Sequence, residues 1–422
     1  MTRIVALVEF CPPRLGSDRR IYEMLTRLPE HHEVHFIVFP PSRALLGMIP
    51  LPAEHLKETQ VTLKDNIKVH YISLPTYLRA PWNNYIIGYF LTLLYVSRKV
   101  VQEIRNINPL VITLNYPSAY TGLVGFSIGK LLNRRVVADF NDMIAEYTMS
   151  LLDHEPENSG KMSKRISKDI IRKLLTTIQD YIISNADAVT AVTNQIIDYC
   201  KLHGIRKDIY LIPDGVDAKI FDPERYFGDA TNKIRKEFDI KENEKVVVYI
   251  GRLEKWAGVQ IVLRCAEKLK DSNIRFLLIG EGTLKLSPQM PNVISCGPIP
   301  HEQVPTYLAA ADLVLVPMEQ DVVGNSAGPL KLFEAMAMKK AIIASNTRGI
   351  SEVMTNNVEG VLLPQDENLW AEAIKELLMN SSKASELGEN ASRRIRAEFD
   401  WSVLVNRLAT ILLPAEGTKA PC

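Results

Sequence analysis

Residues 311–345 read ADLVLVPMEQDVVGNSAGPLKLFEAMAMKKAIIAS, and the order of residue types in this stretch decides the fold. Leu313-Val314-Leu315-Val316 has the length and β-branched content of a buried strand. A loop carrying Gly324, Asn325, Ser326 and Gly328 is expected next. Pro329 then stands where a helix can begin, at a position that needs no backbone donor. The helix is read through Leu330, Phe333, Ala335, Met336 and Ala337, and Ala341–Ala344 as the following strand. Strand, glycine-bearing loop, helix and strand form the repeating unit of a parallel α/β sheet.

Two charges stand out in that helix. Lys331 falls in the first turn, where the macrodipole makes a cation unfavourable by roughly 0.3–1 kcal/mol. An anion joining it at that terminus reverses the sign. Glu334 comes one turn later, and a carboxylate there can accept two hydrogen bonds from the diol of a ribose. Loop amides, Lys331 and Glu334 therefore read as a site for the sugar phosphate of a nucleotide. The other reading is an exposed Lys and Glu on an ordinary helix.

With 422 residues the chain exceeds one core, so two domains are expected. Hydrophobic and charged fractions of 46% and 23% are those of a globular protein, and a net charge of +1 gives no reason to expect nucleic acid. Five scattered cysteines, with no CxxC and no Cys/His cluster, suggest neither a zinc site nor a disulfide framework and fit a cytoplasmic location. No signal peptide is read at the N-terminus, and no apolar stretch reaches the roughly 18 residues of a membrane span.

Elsewhere the pattern alternates. Ile4–Val8 reads as a strand, and a loop containing Gly16 leads to a helix from Arg19 to Leu28 with Ser17 or Asp18 as its cap. Strands are expected at Val34–Phe39, Ile67–Ser73, Val111–Leu114, Val136–Asp139, Ala188–Val192 and Tyr210–Pro213. Residues 82–104 read as an aromatic helix, either core or lipid-touching. Residues 160–185 read as a basic helix carrying Lys161, Lys164, Arg165, Lys168, Arg172 and Lys173, either a solvated face or a face on an anionic membrane. Asn141 and Asp142 follow a strand end, where a cleft can be lined, although Asp142 is equally a helix cap. Residues 218–244 read as a polar linker. Strands at Val246–Ile250, Phe276–Ile279, Val293–Cys296 and Val361–Leu363 continue the alternation, which argues parallel sheets in both halves. Lys383–Leu413 reads as a final helical region.

Several segments then fall in a recognisable order: Ile212-Pro213-Asp214-Gly215-Val216-Asp217, Tyr249-Ile250-Gly251-Arg252-Leu253, Ile279-Gly280-Glu281-Gly282, Ala311-Asp312-Leu313-Val314, Pro329 to Ala337, Gly349-Ile350-Ser351-Glu352-Val353 and Gly360-Val361-Leu362. In this order the chain resembles the retaining glycosyltransferases of family 4. The resemblance implies an α/β GT-B fold, two facing Rossmann-like domains with a cleft between them. It also implies an acceptor-side domain over 1–215, a donor-binding domain over 216–397 and a C-terminal helix, 398–413, crossing back.

By the same resemblance, Glu334 would hold the ribose of a nucleotide sugar, UDP- or GDP-linked, and Arg252 would neutralise its diphosphate, with Lys255 as second cation. Asp142 joins Arg252 and Lys255 as a catalytic candidate. Gly16, Ser17, Gly251, Glu281, Ile299, Ser326, Gly328, Leu330 and Lys331 complete the donor set, Ile299 lying where the base is read by backbone. The sequence departs from the family at Ala257 (often Lys), at Ser326 (a Glu that meets the sugar), at Asn141 (often His) and at Ser17 (a second glycine). The implied reaction moves a hexose to an acceptor hydroxyl, sugar or lipid-linked, with no metal and no tightly bound cofactor. Peripheral contact with an anionic membrane at the inner face of the cell membrane is a further expectation. A catalytically silent nucleotide-sugar-binding subunit is the alternative.

Overall fold

The computed structural model describes residues 1–13, 16–41, 51–57, 59–79, 86–153, 168–226, 228–282, 284 and 290–413. The chain divides into two units: Met1–Val192, Ile196–Ile212 and Val405–Cys422 form the first, Thr193–Gln195 and Pro213–Leu404 the second.

The first unit is built on strands β1 (Thr2–Val8), β2 (His32–Val38), β3 (Thr59–Lys64), β4 (Ile67–Tyr71), β5 (Val111–Leu114), β6 (Arg135–Phe140), β7 (Ala188–Ala191) and β8 (Ile209–Leu211). Their order in the sheet is β3-β4-β2-β1-β5-β6-β7-β8. Ile4, Val5, Ala6 and Leu7 of the central strand are all fully buried, as expected where helices cover both faces. The expectation of a purely parallel sheet fails at one edge, where β3 pairs antiparallel to β4. Its sequence, TQVTLK, carries no apolar run because the strand is largely exposed, so no core-strand signal marks it.

Helix Gly16–Leu25 begins earlier than expected, which puts Ser17 and Asp18 inside its first turn rather than at its cap. The reason is that Asp18 is used elsewhere. Its carboxyl is fully buried, accepts from Asn115 Nδ2 at 2.7 Å, and is pushed well above the usual carboxylate range, chiefly by burial. It belongs to a polar cluster at the carboxyl ends of β5, β6 and β7. Arg20 forms a bidentate pair with Asp139, Nε to Oδ2 at 2.9 Å and Nη2 to Oδ1 at 3.1 Å, and also donates to the Ile212 carbonyl at 2.6 Å. Thr190 Oγ1 donates to Asp139 at 2.6 Å, and Asn141 Nδ2 reaches Asn115 at 3.2 Å and Asp139 at 3.3 Å.

The aromatic helix spans Ile86–Ile107. Val96, Val100 and Ile104 pack into the core while Leu91 and Leu94 are exposed, so it is a core helix on one face. Trp82 and Tyr85 lie outside the described residues, as do Lys161, Lys164 and Arg165 of the basic region, whose described helix is Lys168–Asn185.

The second unit holds β9 (Lys245–Ile250), β10 (Ile274–Ile279), β11 (Val293–Gly297), β12 (Leu313–Val316), β13 (Ile342–Ser345) and β14 (Val361–Leu363) in the order β11-β10-β9-β12-β13-β14. All its pairings are parallel. The supposed linker 218–244 contains a 3-10 turn, Pro223–Tyr226, and a helix, Asp229–Glu237. Ile234 is the helix residue that enters the core, too sparse an apolar face to show as a period. The final helical region is broken into helix Ser381–Arg394, a π-helical turn Ile395–Phe399 and helix Trp401–Leu412. Extended Asp400 interrupts it, where Val216 exchanges backbone bonds with Phe399 and Trp401.

Arg20→Met is expected to destabilise the protein by about 3–5 kcal/mol, because Asp139 is left buried without its cation. Urea unfolding checks this. The double variant Arg20→Met/Asp139→Leu is expected to recover much of the loss.

Candidate functional site

The site grows from the carboxyl ends of β9, β10 and β12. The chain after β12 forms a short helix, Val322–Ser326, where a loop is expected from its glycine and polar residues. Asp321 caps it, its side chain accepting from Gly324 N at 2.8 Å. The next helix is Leu330–Ala337, and Pro329 is its cap rather than its first residue. No side chain caps that helix start, so the first amides are left to another acceptor.

Lys331 stands in the first turn, half-buried, with Nζ 4.5 Å from the centre of the Tyr249 ring. Among the described residues no carboxylate pairs with it. Burial alone pushes the amine down to about 7. The cation–π contact contributes about 0.5–2 kcal/mol, short of what a desolvated ammonium forgoes in hydration. Tyr249 is itself fixed, its hydroxyl donating to the Arg252 carbonyl at 2.6 Å.

Gly251 and Gly280 close the corner between β9 and β10. Both have positive φ, 149° and 141°, and a Cβ on Gly280 would stand 1.9 Å from the Gly251 carbonyl oxygen. A Cβ on Gly251 would stand 3.3 Å from Lys331 Nζ. Only glycine leaves the lysine and the strand end this close. Arg252 is next in the chain. Its guanidinium is held by Glu281 at 2.8 Å and Glu254 at 3.2 Å. Arg252 and Glu281 are solvent-accessible, so their pairing is weak and exchangeable for a stronger anion.

Glu334, one helical turn beyond Lys331, is buried, and its Oε1 lies 2.6 Å from His301 Nε2. His301 opens the 3-10 turn His301–Gln303 just after β11, and its ring lies 5.5 Å from that of Phe221. The uncapped helix start and Lys331, beside the Gly251 corner, thus lie one helical turn before a buried acid.

A family model described as Glycosyltransferase Family 4 matches residues 16–220, and one described as Glycosyl transferases group 1 matches residues 230–394. The chain belongs to glycosyltransferase family 4. A relative, N-acetyl-alpha-D-glucosaminyl L-malate synthase of Bacillus anthracis, is 27% identical over 240 residues, 54% of this chain and 60% of that relative. The matches span between 54% and 60% of the length of the first curated relatives. Among solved structures, sucrose-phosphate synthase of Thermosynechococcus elongatus superposes with a TM-score of 0.71 at 19% identity, covering 97% of this chain and 98% of that one. HepE of Anabaena, solved with UDP-glucose, gives 0.68 at 18% identity and covers 97% and 98%. These likenesses establish the GT-B fold.

The remaining family-4 candidates are placed as follows. Lys255 is exposed on a 3-10 turn, Lys255–Ala257, and its side chain forms no hydrogen bond or ion pair with a described residue. Its charge is felt by Glu319, whose carboxyl is nevertheless pushed up by burial and by Asp321. Ser326 is buried and its hydroxyl is donated to the Val323 carbonyl at 3.0 Å. Gly328 lies in the extended link before Pro329, and Leu330 is the first residue of the helix. Ile299 is half-buried against the core of the second unit. Gly16 and Ser17 open helix Gly16–Leu25 in the first unit. Asp142, also in the first unit, follows β6 half-buried, its carbonyl accepting from Ile144 N at 2.9 Å.

Tyr249 and His301 were missed by sequence reasoning. A tyrosine inside the apolar run Val246–Ile250, directly before Gly251-Arg252, is a signal that a polar tip is wanted at that strand end. Nothing local ties His301 to an acid 33 positions away.

The lysine gives a stability test. A folded-state amine at about 7 holds its proton less tightly than the unfolded chain does. The penalty is complete below that pH and fades as pH rises toward the ordinary lysine range. Lys331→Met is therefore expected to melt above the wild type at neutral pH in the absence of ligand, and the gap is expected to narrow at alkaline pH. Thermal melts across the pH range check it.

Proposed function

We propose that the protein is a retaining hexosyltransferase that moves a sugar from a UDP- or GDP-linked donor to an acceptor hydroxyl, in a lipid-linked glycan or a surface-polysaccharide precursor. The observation that carries this reading is Lys331, a desolvated cation without a described counter-ion at an uncapped helix start. HepE, solved with UDP-glucose, supports a nucleotide-sugar donor.

In this mechanism the bond from the sugar's anomeric carbon to the diphosphate oxygen breaks, and negative charge develops on the leaving diphosphate. Arg252, Lys331 and the amides at Leu330–Lys331 meet that charge more strongly in the transition state than before it. The acceptor oxygen forms its bond on the face the diphosphate leaves, so configuration is retained. Its proton passes to the departing phosphate oxygen. No metal is assigned a part, because the cations of the chain supply the countercharge, and no tightly bound cofactor is needed. Removing one such donor costs about 10²–10³ in rate. Lys255 and Asp142 stay as candidates for the same step. Glu334 grips the ribose.

One observation favours the second reading, a nucleotide-sugar-binding subunit without catalysis. Ser326, where the family's sugar-contacting acid stands, is buried and spends its hydroxyl on Val323. Melts with UDP, GDP and ADP, followed by an assay for nucleotide release from the sugar donors, separate the readings. The cognate nucleotide at a hundredfold its dissociation constant is expected to add about 2.7 kcal/mol, and Glu334→Ala to abolish the gain. Release of nucleotide in the presence of a glycan or lipid acceptor supports the enzyme, and binding without release the subunit. No stabilisation by any nucleotide would remove both.

Helix Lys168–Asn185 supports a peripheral membrane contact at the cytoplasmic face. Ile170, Leu174 and Tyr181 lie on one side of it and are 62%, 58% and 55% exposed, with Lys168 and Lys173 nearby. No described helix is long and apolar enough to cross a bilayer. The protein is expected to float with vesicles rich in anionic lipid and to be released by salt, and Ile170→Asp/Leu174→Asp to stay behind. Equal flotation of the variant would refute this face.

A further inference from the structure

Glu334 presents a problem that its sequence position hides. A buried carboxylate left without donors is costly. Its helix offers no donor to the side chain, and the one hydrogen bond formed by its carboxylate among the described residues comes from His301, Nε2 to Oε1 at 2.6 Å. A carboxylate oxygen accepts, so the contact has Nε2 as its donor. The imidazole is in turn seated against Phe221, whose ring is fully buried. His301 lies two residues beyond Ile299, on the segment that leaves β11 at Gly297. The imidazole therefore joins that segment to the helix of Lys331 and Glu334.

We propose that His301 is a positioning residue for donor recognition: it holds the Glu334 carboxylate aimed, leaving Oε2 to grip the pentose of the nucleotide. The inference rests on the nucleotide-site reading of Glu334. It follows that His301 acts on the sugar of the nucleotide and not on its phosphates, which are met by Lys331, Arg252 and the helix amides.

The test is calorimetric titration of the whole chain with UDP, GDP and inorganic pyrophosphate. His301→Phe keeps a ring against Phe221 and removes the donor, whereas His301→Gln keeps a donor. His301→Phe is expected to weaken binding of the cognate nucleoside diphosphate about tenfold, as for loss of a hydrogen bond to a charged group, and to leave pyrophosphate binding unchanged. His301→Gln is expected to stay within about threefold of the wild type, and His301→Phe/Glu334→Ala to bind no worse than Glu334→Ala alone. If His301→Phe binds nucleotide like the wild type while Glu334→Ala loses it, the role of His301 is refuted and the nucleotide site stands. An equal loss for pyrophosphate marks a merely structural histidine and refutes it too. If Glu334→Ala itself binds nucleotide undiminished, the underlying nucleotide-site reading falls.

Discussion

The ammonium of Lys331 is the constraint around which the second unit is arranged. It is half-buried, faces an aromatic ring and finds no carboxylate among the described residues. A stable fold would neutralise or expose such a group. Here burial lowers its proton affinity instead. The helix dipole adds to the cost, since Lys331 sits at the positive end. On the proposed reading an anion at that point offsets both unfavourable terms.

The surrounding structure keeps that point available. Tyr249 props the lysine from below and is itself tied to the Arg252 carbonyl. Arg252 is held by Glu254 and Glu281, and its pair to Glu281 is accessible to water; on the proposed reading a diphosphate takes the place of those carboxylates at little cost. Glu334 is treated differently. It is buried and its Oε1 is held by His301. On the proposed reading the cation side of the site is loose and the acid side preorganised.

Most of the interior strands were legible as positions because they carry apolar or β-branched residues between glycine, proline and polar loops; their order in the sheets was not read. Residues 311–345 yielded the strand, helix and strand and the two charges, since those depend on local spacing. The edge strand β3 escaped because its residues face water and carry no burial pattern. Helix Asp229–Glu237 escaped because Ile234 is too sparse an apolar signal, and its stability comes from what it packs against. Arg20 with Asp139 and His301 with Glu334 were illegible for another reason: each pair is 119 or 33 positions apart and meets only once the strands are in register. Ser326 was expected in a loop, but a short helix, Val322–Ser326, forms there and its hydroxyl donates to the Val323 carbonyl.

The corner where Gly280 meets Gly251 has a bearing on how such a protein changes over generations. Its shape is set by main-chain atoms and by the lack of any side chain, so there is nothing at that corner for substitution to tune. On the proposed reading that part of the phosphate site is thus inherited whole, while the choice of sugar and base is left to positions that can drift. Novelty in what is transferred can then arise without relearning how to hold the leaving group.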